Sequence, residues 1–235
     1  MEGPGFWIAA GVAAVLVGLS KGGLPVVGML AVPVLALAMP PVAAAGLLLP
    51  VYVASDAIGL YAYRRAFDRR VLAILAPAAV LGIGLGWLTA AAVPERLVTG
   101  IVGAIGLAFA LSRLIGRRPQ DAGRPASVGP GLFWGALTGY TSFVSHAGAP
   151  PYQVYVLPLG LDKTVFAGTT TVFFAFVNAV KLVPYWALGQ LSAENLAHAA
   201  VLSVPAVAAA AAGVGLVRVL PERLFFRLVI WALAL

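Results

Sequence analysis

Apolar residues in this chain fall in long blocks. Runs of Ala, Val, Leu and Gly fill about residues 6–20, 24–38, 42–63, 71–92 and 96–114, and again about 130–145, 150–161, 164–188, 193–217 and 221–235. Strict apolar–polar alternation is absent, so the blocks predict helices rather than the strands of a membrane barrel. At 1.5 Å per residue the first two blocks of each set reach about 18–24 Å. That is short of the roughly 30 Å hydrocarbon core of a bilayer, whereas the third and fourth blocks are long enough to cross it.

The two sets repeat one another. Ser20, Gly23, Pro25 and Pro33 each recur 125 residues later as Ser145, Gly148, Pro150 and Pro158. "PERL" at Pro94–Leu97 recurs 127 residues on at Pro221–Leu224, and Gly46 and Asp56 recur 122 residues on as Gly168 and Asn178. A first transmembrane repeat over 1–114, a linker over 115–130 and a second repeat over 131–235 follow. The linker is the one long polar stretch, rich in Arg, Pro, Gly and Ser.

The polar residues between blocks orient the chain. Arg64, Arg65, Arg69 and Arg70 crowd one short loop, and Arg117, Arg118 and Arg124 lie in the linker, so both are expected on the cytoplasmic side. Asp162-Lys163 and the stretch from Arg218 to Arg223 join them, while "GQLSAEN" suits the outside. Both termini then lie outside and the halves are related by inversion. The expected fold is an all-α integral membrane bundle of two inverted-topology repeats. Each repeat holds a short broken or re-entrant helix pair followed by three transmembrane helices.

Composition agrees with this picture: 62% of the residues are hydrophobic and 10% are charged. A soluble domain carries roughly 25% charged residues. The net charge of +7 comes from loop arginines, so it does not predict a nucleic-acid partner. With no cysteine and two histidines, thiol chemistry and a metal cluster are excluded and no cofactor is expected. The start lacks a basic n-region and carries Glu2, which does not read as a cleaved signal peptide.

The candidate chemistry sits at the breaks. "SKGGLP" (Ser20–Pro25) and "SHAGAP" (Ser145–Pro150) occupy matching places, and a pair of Gly/Pro-interrupted segments in two halves points to a transport site. Re-entrant hairpins would place both tips near the midplane; fully crossing arms would leave Lys21 at the cytoplasmic interface. A helix beginning near Leu24 would offer free N–H groups beside the Lys21 ammonium, with Gly22 and Gly23 letting an anion approach. His146 and Gly148 supply the second tip. Ser20, Ser145 and Gln153 can donate to oxyanions, or equally to neighbouring helices. Asp56 is an intramembrane acid that needs a partner, and Lys21 is the natural one. Asn178 and Lys181 share a helix face, and Lys181 either borders the pocket or snorkels outward. The threonines of "GTTTVFFAF" (Gly168–Phe176) are expected to bond their own helix. "Ser145-His146" makes no catalytic dyad, and no nucleophile-and-base set suggests an enzyme.

"GLSKGGLPVVGMLAVPVLAL", "LPVYVASDAIGLYAYRRAFD" and "SFVSHAGAPPYQVYVLPLGLDKTVFAGTTTVFFAFVNAVKL" resemble the sulfite exporter TauE/SafE family, also called the 4-toluene sulfonate uptake permease family. The resemblance covers nearly the whole chain. It implies a multi-pass inner-membrane transporter of small sulfur-containing anions such as sulfite, sulfonates, sulfoacetate or thiosulfate. The carried-over positions are Ser20, Lys21, Gly22, Gly23 and Pro25, with Ser145, His146, Gly148 and Pro150. Lys21 and His146 depart from the all-glycine run of some members, which bears on substrate and coupling. The expected partners are a small anion and the lipid bilayer. A homo-oligomer, another organic anion, or a role as a non-transporting subunit stays open.

Overall fold

The computed structural model describes residues 3–90 and 123–233, with positions 92, 94, 96–97, 100, 103–104, 106–108 and 110–111 between them. The fifth block of the first half, the first "PERL" turn and half of the linker lie wholly or partly outside the described residues. The described part is helical. Helix α1 spans Pro4–Lys21, followed by a 3-10 turn at Pro25–Leu30 and the short α2 at Ala31–Leu35; α3 spans Pro41–Tyr63 and α4 Arg69–Thr89. In the second half α5 spans Val128–Ser145 and α6 Ala149–Val156, then come α7 at Lys163–Ala187, α8 at Ala193–Val219 and α9 at Glu222–Ala232.

Local chemistry sets these boundaries. Proline at the first position starts α1 and α3, where a missing N–H costs nothing. Asp68 caps α4 by accepting from the Val71 N–H at 3.0 Å, and Ser192 caps α8 by accepting from the Asn195 N–H at 3.2 Å. Among the described residues, α1, α3, α4, α7 and α8 are long and apolar enough to cross a membrane. This corrects one expectation. The first arm, at 18 residues, is long enough to cross, because Pro4 starts it early. The last helix, α9, is described over 11 residues.

The halves pack by exchange. The arm α1 lies along α8, and α5 lies along α4. Both seams are built from small residues, which let helix backbones approach closely where lipid supplies no hydrophobic drive. On α5 the stripe Gly131, Gly135 and Gly139 faces Ile74, Leu75 and Ala79 of α4, and a Cβ on Gly139 would strike the Ala79 carbonyl. On α1, Gly18 meets Ala206 and Gly22 meets Gly213, both of α8. At the centre α3 and α7 pack together. Large apolar side chains such as Ile8, Leu81, Leu88, Val204 and Trp186 face outward, whereas Lys21, Asp56, Gln153, Asn178 and Lys181 are buried.

Each first arm turns back along itself. The tip after α1 packs against Tyr63, Val217 and Gly213, close to the arginine-bearing ends of α3 and α8. The tip after α5 packs against Ala45 and Tyr185, close to the opposite ends of α3 and α7. The return arms are short: α2 ends at Leu35, and Gly160 in the left-handed conformation ends the 3-10 turn at Leu157–Leu159 that follows α6. The tips therefore lie toward opposite ends of the bundle, rather than meeting backbone to backbone at its middle.

A Gly22→Leu substitution would drive a side chain into the Gly213 backbone. It is expected to destabilise by about 1–3 kcal/mol, read as a lower melting temperature in detergent. Gly215→Leu, which meets open space on the outer face, should leave the melting temperature unchanged.

Candidate functional site

The first tip is built by helix capping. The Leu24 N–H donates to the Leu19 carbonyl at 3.4 Å and the Gly23 N–H to the Ser20 carbonyl at 3.3 Å. This is a Schellman cap, with Gly23 in the left-handed position at φ 114°. The last carbonyls of α1 thus consume the N–H groups that the sequence suggested would face an anion. Gly22 serves the α8 seam, and neither glycine lines the cavity described below.

The second tip closes differently. His146 is the left-handed residue, at φ 54°, and its N–H donates to the Ser142 carbonyl at 3.2 Å. It is the one non-glycine with positive φ among the described residues, and such strain is stored most often at functional sites. Helix α6 then begins at Ala149, with Pro150 and Pro151 lacking donors. The N–H groups of Ala147, Gly148 and Ala149 take no backbone partner among the described residues. A helix start with free N–H groups favours an anion.

Between the tips lies a cavity of about 40 Å³ lined by Lys21, Gly28, Tyr52, His146, Ala149 and Asn178, among others. A water needs roughly 10–15 Å³ of such space, so the cavity holds a few waters or one small oxyanion. Lys21 is 4% exposed, so it does not snorkel. Its Nζ meets Asp56 Oδ1 at 2.8 Å and lies 5.1 Å from the Tyr52 ring centroid. Asp56 Oδ2 accepts from Asn178 Nδ2 at 2.9 Å, so two positions 122 residues apart meet at the centre.

Lys181 is fully buried. Its Nζ lies 3.1 Å from each of the Ser142 carbonyl, Ser142 Oγ and His146 Nδ1. Three acceptors match the three protons of an ammonium, and the carbonyl belongs to the negative C-terminal end of α5. His146 Nε2 lies 3.2 Å from the Ala45 carbonyl, which assigns the ring proton to Nε2 and leaves Nδ1 to accept from Lys181. The imidazole also stacks on Tyr52 at 5.0 Å. Tyr52 thereby joins the two tips, with Lys21 and His146 both against its ring.

The remaining sequence candidates serve other roles in this arrangement. Ser20 Oγ donates to the Val17 carbonyl at 2.6 Å and Ser145 Oγ to the Thr141 carbonyl at 3.3 Å, so both hydroxyls bond their own helices. Ser20 still lines the cavity; Ser145 does not. Thr169 and Thr170 donate back to the carbonyls of Val165 and Phe166. Gly148 packs against Ser142 and Phe174. Gln153 sits one turn beyond Ala149 on α6, is fully buried, and has no hydrogen-bond partner for either amide atom among the described residues. Tyr52, Ser142 and Tyr185 were missed in the sequence. Tyr52 and Tyr185 lie one turn from Asp56 and Lys181, on the faces those residues define.

A family model described as sulfite exporter TauE/SafE matches residues 7–235. No curated protein and no solved structure matches the chain.

Two stability measurements follow from this geometry. Lys21→Met or Asp56→Leu alone leaves a buried charge unmatched, at an expected loss of about 3–5 kcal/mol; the double variant should lose less than the sum. Gln153→Leu removes an unpaired buried amide and should raise the melting temperature, by about 1–3 kcal/mol of stability.

Proposed function

The chain belongs to the sulfite exporter TauE/SafE family of membrane transporters, and we propose that it carries a sulfite-type anion through the cavity between the two hairpin tips. One observation carries this reading. Among the described residues the buried charged side chains are Lys21, Lys181 and Asp56, two cations against one carboxylate. A net buried charge is costly in a low-dielectric interior, and an anion bound beside it restores the balance.

The donors suit a sulfonate or sulfite group. The Lys21 ammonium and the N–H groups at the start of α6 would meet its oxygens as charge-assisted hydrogen bonds. Asn178 keeps Asp56 in place, and Lys181 holds His146 and the end of α5 against the site. The cavity's size favours an anion of a few heavy atoms over an aryl sulfonate.

The arrangement of the arms supports an inverted repeat over residues 1–114 and 131–235. Tip one reaches toward the arginine-bearing end and tip two toward the other, and α1 packs on α8 as α5 packs on α4. With the arginines in the cytoplasm of an inner membrane, the potential favours anion exit by about 2.3 kcal/mol per charge per 100 mV. Export then needs no coupling ion.

The test is flux of radiolabelled sulfite in proteoliposomes. Wild type should transport, with a rate that rises with the imposed potential. Lys181→Met should lower the rate at least about tenfold, as loss of a buried cation from a charge-matched site implies. Arg223→Gln, at the exposed end of α9, should leave it unchanged. Equal rates in wild type and Lys181→Met would contradict the assignment.

A further inference from the structure

We propose that Asp56 sets the valence of the transported anion, so that the cavity accepts a monovalent oxyanion, hydrogensulfite rather than the sulfite dianion, and turns away a divalent one of the same size. This rests on the anion-site reading above and names which anions the site takes. With three acceptors around its Nζ, Lys181 counts as an ammonium, as does Lys21 paired with Asp56; of these two positive charges Asp56 cancels one. A single negative charge completes the set. A second would stand uncompensated in the interior, where water cannot screen it, and would be repelled by Asp56.

The geometry gives Asp56 no way to withdraw. Its Oδ1 faces Lys21 of α1 at 2.8 Å and its Oδ2 is held by Asn178 of α7 at 2.9 Å. Tyr52 lies one turn away on its own helix, and Lys181 of α7 is the further charged group that acts on Asp56 electrostatically. An anion reaching Lys21 therefore shares it with a fixed carboxylate. The other half makes the same point from the sequence. Asn178 stands 122 residues after Asp56, in the equivalent position, and is an amide. An acid there as well would leave the cavity neutral, with no charge for an anion to balance.

Methanesulfonate and sulfate separate valence from shape, since both are tetrahedral with five heavy atoms and differ by one charge. Titration calorimetry on the purified full chain should give wild type a methanesulfonate Kd at least about tenfold below that for sulfate, the order expected for one uncompensated charge near the site. Asp56→Asn should abolish or reverse that preference. Asn178→Asp should weaken both anions. Equal wild-type affinities for the two anions would overturn the proposal, as would an Asp56→Asn protein that keeps the preference. Should Asp56→Asn fail to fold, the wild-type ratio decides alone. If neither anion binds wild type, or if Lys21→Met binds methanesulfonate as wild type does, the anion site itself fails and the proposal falls with it. Sulfate binding that is tight and depends on Lys21 would sink the valence rule while leaving the anion site standing.

Discussion

A charge inside hydrocarbon must be matched, and most of this molecule can be read as the means of matching three of them. Lys21, Asp56 and Lys181 are buried in a chain whose outer surface is apolar. Each is held by groups from outside its own helix: Lys21 of α1 by Asp56 of α3, Asp56 also by Asn178 of α7, and Lys181 of α7 by the end of α5 and its tip. The polar centre therefore couples the two halves. Moving either tip changes which partners the buried charges have, and alternating access needs a coupling of that kind between ligand site and helix position.

Two features of the backbone make the centre reachable. Small residues at the α1–α8 and α4–α5 seams bring the helices close, which sets the first arms against the bundle with their backbones in near contact. The two tips then end their helices in different ways. Gly23 closes α1 with a full Schellman cap that consumes its N–H groups, while left-handed His146 leaves the start of α6 open. The two tips thus differ: the N–H groups at the start of α6 take no backbone partner among the described residues, while Lys21 stands at the other tip.

Much of this was legible in the sequence, for physical reasons that differ by residue. The blocks, their lengths and the recurrence of Ser20, Gly23 and Pro25 gave the helical membrane fold, because the bilayer imposes helix length and composition. The pairing of Lys21 with Asp56 followed from the rule that buried charges need partners. The uses of Gly22 and Gly23 were not legible. A glycine that admits a ligand, one that caps a helix and one that seats another helix look the same in a string of letters. Tyr52 was missed because a tyrosine in an apolar block is ordinarily core or interface, and only its position one turn before Asp56 marks it. The strain at His146 needed coordinates, as did the loss of the Ser20 and Ser145 hydroxyls to their own helices.

The most direct test of an anion held between the two tips is to see one there. Selenite can stand in for sulfite, and its selenium scatters anomalously, so a crystal of the full chain grown with selenite locates it independently of the surrounding density. The account predicts an anomalous peak in the cavity, with its oxygens within hydrogen-bond distance of Lys21 Nζ and the N–H groups at the start of α6. Selenium found only among the arginines at the bundle's end, with the cavity unchanged, would contradict it.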